Sequence, residues 1–125
     1  MKIEVSNGEL LDKLSILLIK NKKITNDEKL LNINNEIDEL KPLCDSLLIN
    51  EVVSRLFMEL SNVNYKLWIV EDELRILEKK QQFDIEFIEL ARAVYILNDE
   101  RASIKKEINK LTNSFLVEEK SYENY

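Results

Sequence analysis

The sequence predicts an all-α chain folded as a four-helix bundle, and three observations carry that expectation. Leucine, isoleucine and valine recur at alternating steps of three and four residues over most of the 125 positions, the spacing of one helix face rather than of a strand. Two capping-box signatures, Ser6-Asn7-Gly8-Glu9 and Thr25-Asn26-Asp27-Glu28, stand directly before two of those runs. One glycine and one proline leave few places where the backbone is prompted to turn.

Residues 2–5 alternate in the manner of a short strand. Helix 1 starts near Asn7, with a stripe of Leu10, Leu11, Leu14, Leu17 and Leu18. Helix 2 opens at the second capping box and carries a narrow stripe of Leu30, Ile33, Ile37 and Leu40. Pro42 lacks a backbone N–H and is expected to stop it. Only a few residues join helices 1 and 2, so they fold back as an antiparallel hairpin.

Helix 3 is long, from about Asp45 to about Lys80, with a seam of Leu56, Leu60, Val63, Leu67, Val70, Leu74 and Leu77. Helix 4 runs from an Asp84 N-cap to about Leu111. Its seam is Phe87, Leu90, Val94, Leu97, Arg101, Ile104, Ile108 and Leu111. Both are heptad seams of the coiled-coil kind. An antiparallel register that sets Leu77 against Phe87, Leu74 against Leu90 and Leu67 against Leu97 also brings Lys66 near Glu100 and Lys80 near Glu86. Glu59 near Glu107 is the one like-charged pair against it. Ile88, Ala91, Tyr95 and Ala102 widen the apolar face of helix 4 to an arc of about 160°. So wide an arc needs a second neighbour, and the shorter N-terminal hairpin packed across the long helix 3/helix 4 hairpin supplies it. Residues 112–125 form a polar, acidic tail, in which Phe115–Val117 pairs as a short strand with Ile3–Val5. No linker or repeat divides residues 1–125, so they form one domain.

Composition removes several function classes. A lone glycine cannot build a phosphate-cradling loop. With no histidine there are no triads, no histidine bases and few transition-metal sites. Cys44 is the only thiol and has no evident base, so it reads as a small core residue in a reducing compartment. A net charge of −6 argues against nucleic-acid binding. No segment is apolar enough for a signal peptide or a membrane span, so the expected location is cytoplasmic. Neither a metal nor another cofactor is implied.

The polar residues that interrupt the seams mark the candidate site. Arg101 holds a core heptad slot, where it either snorkels to solvent or is paired. The register sets Asn64 level with Asn98, and Glu71 against the small Ala91. Trp68, Arg75, Arg92 and Tyr95 border the same flank. Two readings fit Asn64, Glu71, Asn98 and Arg101: an internal network that fixes helix register, or a pocket whose arginine, amides and aromatic rings suit a small anionic or carbohydrate-like ligand.

Carboxylate pairs invite a magnesium reading as well. They are Glu36 with Glu39, Glu71 with Asp72, Glu86 with Glu89, and Asp99 beside Asn98. They scatter over different helix faces in a chain of 17 glutamates, which favours solvated faces.

Several strings are similar to a known family: Gly8-Glu9-Leu10-Leu11-Asp12-Lys13-Leu14, Lys66-Leu67-Trp68 with Glu71-Asp72, and Glu89-Leu90-Ala91-Arg92-Ala93-Val94-Tyr95. Asn98-Asp99-Glu100-Arg101-Ala102, Ile104-Lys105 and Val117-Glu118-Glu119-Lys120-Ser121-Tyr122 extend the likeness along nearly the whole chain. It resembles an uncharacterised family of small all-helical proteins of bacteria and phages, a domain of unknown function. The resemblance implies the helical fold and brings no activity with it. The expected function is therefore that of a helical binding module, not an enzyme, engaging a protein partner or a small polar or anionic ligand. A magnesium-dependent hydrolase of nucleotide or sugar phosphates and a homo-oligomeric structural protein are the alternatives.

Overall fold

A computed structural model describes residues 1–125 as four α-helices: α1 (Asn7–Lys23), α2 (Asp27–Leu48), α3 (Glu51–Lys79) and α4 (Ile85–Leu111). Every helix starts where a side chain accepts from orphan backbone N–H groups. Ser6 accepts from Glu9 N, Asn26 from Lys29 N, Asn50 from Val52 N and Val53 N, and Asp84 from Phe87 N. No helix is long and apolar enough to cross a membrane.

The long α3/α4 hairpin and the shorter α1/α2 hairpin pack as a bundle. α1 and α3 each touch the other three helices, while α2 and α4 do not meet. The core gathers Leu11, Leu14, Cys44, Val53, Leu60 and Ile108, one or more from each helix. On its outer face the α1/α2 hairpin carries a Lys13–Glu36 ion pair at 3.3 Å and a 2.7 Å hydrogen bond donated by Asn21 Nδ2 to Asn34 Oδ1.

Three expectations need correction. Pro42 does not end α2, which continues to Leu48 with the proline inside it. The apolar spacing carries on through Leu40, Cys44 and Leu47, and Cys44 is completely buried. Burial of that extra turn outweighs the roughly 3 kcal/mol cost of the lost N–H and the ring clash. α3 accordingly starts at Glu51, capped by Asn50, rather than near Asp45. The terminal strands do not form; Ile3–Val5 and Phe115–Val117 are exposed and unpaired. Side chains tie the ends instead: Asn7 N donates to Ser114 Oγ, Asn7 Nδ2 to Thr112 Oγ1, and Gly8 N to Asn109 Oδ1.

That last contact explains the one glycine. A Cβ built on Gly8 lies 2.5 Å from the Lys105 carbonyl oxygen and 3.1 Å from Asn109 Oδ1, so only hydrogen fits where α1 crosses α4. The lengths of the hairpins are also unequal. α1 has 17 residues and α3 has 29, about 25 and 43 Å at 1.5 Å per residue. The distal half of the long hairpin therefore projects beyond its cover, and between residues 71 and 100 only Leu77 is buried.

Candidate functional site

Where α1 ends its cover, a cleft of about 390 Å³ opens between α1 and the long hairpin. Six of the residues singled out from sequence line it: Asn64, Trp68, Glu71 and Arg75 from α3, with Asn98 and Arg101 from α4. The helical period puts the α3 residues on one face, at steps of four, three and four. Asp72 belongs to the same face, and Ile16, Ile19 and Leu67 supply the apolar wall. Of the remaining two, Tyr95 lines a different cavity, beside the C-terminal tail, and Arg92 is exposed on the outer surface of α4.

Arg101 does not snorkel. Its Nε donates to Asp12 Oδ1 at 2.8 Å and its Nη2 to Asp12 Oδ2 at 2.5 Å, a bidentate fork. Asp12 is 1% exposed on the inner face of α1. Asn64 Nδ2 donates to the same carboxylate at 2.9 Å and to Ser15 Oγ at 2.7 Å, and Ser15 donates to the Asp12 carbonyl. The polar network is thus Asp12, Ser15, Asn64 and Arg101, with Asn98 at its edge. Glu71 stays exposed at the cleft rim and takes no part in it. Burial pushes the Asp12 carboxyl up, but hydrogen bonds from Arg101 and Asn64, with the charges of Arg101 and Lys105, hold it below the ordinary value of 3.8. The same pairing raises Arg101 further above its usual range.

One edge of the guanidinium is spent on Asp12. The other edge carries Nη1, whose only partner is the Asn98 side-chain oxygen at 3.4 Å. Arg101 consequently lines the cleft on one side and a smaller cavity of about 240 Å³ on the other. In that smaller cavity every cation but Lys120 is already matched. Lys105 Nζ reaches Glu9 at 2.5 Å, Glu118 at 3.4 Å and Asp12 at 3.9 Å, while Lys106 meets Glu119 at 3.0 Å. Burial lowers the Lys105 pKa, but Glu9 and its neighbouring carboxylates more than restore it and leave it raised. In the cleft, by contrast, Arg75, Glu71 and Asp72 have no oppositely charged group within ion-pairing distance.

Asp12 and Lys105 were not among the residues selected from sequence. Asp12 is adjacent to Leu11 inside a leucine stripe and reads there as a solvent-facing acid. The available signal was the run Gly8, Asp12, Ser15, Ile19, at steps of four, three and four, which marks a second face of α1 made of small and polar groups. That face is buried because α1 has neighbours on three sides. Nowhere do three or more Cys, Asp or Glu side chains converge as metal ligands.

A family model described as a family of unknown function (DUF6165) matches residues 1–125. Among curated proteins and among solved structures, nothing matches this chain.

Proposed function

The chain belongs to that family of unknown function, DUF6165, and we propose that it is a binding module whose cleft takes a sugar carrying a phosphate or a carboxylate. One observation carries the reading: the Arg101 guanidinium is held by the buried Asp12 on one edge and lines the cleft on the other. An arginine immobilised in this way presents its free N–H groups without further loss of rotamer entropy, which suits it to an anionic oxygen. Arg75, unpaired on the facing helix, adds a second positive charge.

The rest of the lining matches the other end of such a ligand. Trp68 offers a flat apolar platform for a ring. Glu71 and Asp72 offer acceptors, and Asn98 an amide, for hydroxyl groups. The volume of about 390 Å³ lies within the roughly 300–1,000 Å³ typical of small-molecule pockets. Hydrolysis is a weaker reading, because Glu71 and Asp72 are the cleft's only carboxylates and no third acid joins them to hold magnesium. The reading places the protein in the cytoplasm, where the lone thiol of Cys44 needs no disulfide partner.

Thermal unfolding with glucose 6-phosphate, glucuronate and uridine diphosphate glucose tests it, with glucose and inorganic phosphate as half-ligands. A ligand at about 100 times its Kd stabilises by about 2.7 kcal/mol. At least one charged sugar should raise the melting temperature, and Arg75→Gln, at an exposed position, should cut the rise to about half while the fold persists. Equal effects of phosphate alone and of every charged sugar would defeat the proposal.

A further inference from the structure

We propose that α4 and the C-terminal tail form a second site, one that takes an organic ammonium group. The tail turns back along α4, pinned by two consecutive ion pairs, Glu118 to Lys105 and Glu119 to Lys106. This brings Tyr122 and Tyr125 beside Tyr95 of α4, and the Tyr95 and Tyr125 rings meet edge to face at 5.2 Å and 61°. The three rings share a cavity of about 580 Å³ with Asp99, Glu123 and Lys120. Asp99 lies one helical turn after Tyr95, on the same face of α4.

The chemistry of this lining selects a cation. The face of each phenol ring carries the negative lobe of its quadrupole, and two carboxylates add full charges. An anion meets repulsion there, and a neutral ligand gains no charge–charge attraction from the carboxylates. An alkylated ammonium sheds water readily and gains from both. The site already holds a resident cation, since Lys120 Nζ sits 5.6 Å from the centroid of the Tyr122 ring. A comparable contact elsewhere, Lys23 over Tyr65 at 5.2 Å, lies outside this cavity and serves as an internal control. Tyr122 and Tyr125 remain 76% and 77% exposed, so the site is shallow and its affinity is on the order of millimolar.

The test titrates the full chain with choline chloride, and separately with 3,3-dimethylbutan-1-ol, which has the same shape without the charge. Sodium chloride balances the ionic strength, and the choline N-methyl protons and the tyrosine ring resonances are followed by NMR. Choline should bind saturably, with its methyl protons shifted upfield by the rings, and the alcohol should bind at least about five-fold more weakly. Tyr95→Leu and Tyr122→Leu should each weaken choline about three-fold, the worth of one exposed cation–π contact. Lys120→Ala should tighten it, because the resident ammonium no longer competes. Tyr65→Leu should change nothing. Nα-acetyl-lysine amide as a third probe separates the sources: binding equal to choline points to a lysine side chain of a partner, and weaker binding to a quaternary small molecule. Equal binding of choline and the alcohol, or no saturable shift in either the wild type or Lys120→Ala up to about 50 mM, would overturn the proposal. Unchanged helical circular dichroism in each variant excludes loss of fold as the cause.

Discussion

Replacing Arg101 by alanine tests whether the polar network holds the bundle together. The substitution removes the two Arg101 N–H donors from the Asp12 carboxylate, which is 1% exposed and keeps only the Asn64 amide. Hydrogen bonds to a charged group contribute about 1.5–3 kcal/mol each, so the gross loss is about 3–6 kcal/mol. Two features reduce it. The Arg101 side chain is 28% exposed, so water already screens part of the pair. Lys105 Nζ, 3.9 Å from Asp12 Oδ2, is close enough to move in and share the charge. The net expectation is about 3 kcal/mol, at the lower edge of what breaking a buried pair costs. With a urea m-value of about 1.5 kcal/mol/M, the unfolding midpoint falls by about 2 M. Equilibrium urea unfolding, followed by helical circular dichroism and by Trp68 fluorescence, reads it directly. A double-mutant cycle with Asp12→Asn should give a coupling of at least about 1.5 kcal/mol. A loss below about 1 kcal/mol, the median for exposed ion pairs, would refute the reasoning.

Further outcomes follow from the same contacts. Gly8→Ala should destabilise by about 2 kcal/mol or more, because the new methyl meets the Lys105 carbonyl at 2.5 Å; at an open helix position the same change would stabilise by about 1 kcal/mol, so the sign of the shift in urea midpoint decides. Asp12 has a folded pKa below 3.8, so its contribution is present above the ordinary carboxylate range and is lost as pH falls through the folded value. The stability gap between wild type and Asp12→Asn should therefore close below about pH 4, which urea midpoints across a pH series would show. Leu74 shares a groove with Phe87, Ala91 and Val94. In a Cys44→Ser background Leu74→Cys with Leu90→Cys should oxidise to a fast-migrating monomer on a non-reducing gel, and Leu74→Cys with Leu97→Cys should not.

Much of this arrangement was legible in the residues. The four helices, the Ser6 and Asp84 caps and the pairing of the helices into two hairpins all follow from spacing and side-chain chemistry. So does the grouping of Asn64, Trp68, Glu71, Arg75, Asn98 and Arg101, because residues at helical steps share a face and the hairpin brings two faces together. What escaped was set by the third dimension. Pro42 lies inside α2 because Cys44 and Leu47 continue the buried stripe beyond it, a tertiary effect that overrides a local rule. Asp12 was not singled out because one stripe of leucines marks one buried face, whereas α1 is enclosed from three directions. An arginine in a core slot demanded a carboxylate, but the sequence did not say which of 24 acids would answer it. Tyr95 separated from the cleft because the tail, and not α1, is its neighbour.

The measurement that bears most directly on the binding cleft is a titration of the ¹⁵N-labelled chain with glucose 6-phosphate. The Trp68 indole N–H and the Arg75 and Arg101 side-chain N–H resonances are followed. A ligand seated on the Arg101 edge that Asp12 leaves free should move all three saturably with one Kd, while residues of α2, which lines no part of that cleft, stay still. Arg75→Gln should raise that Kd by about ten-fold, the loss of one charge-assisted hydrogen bond of about 1.4 kcal/mol. Shifts confined to the Lys105 and Lys106 side of Arg101, or proportional to phosphate concentration without saturation, would contradict the account.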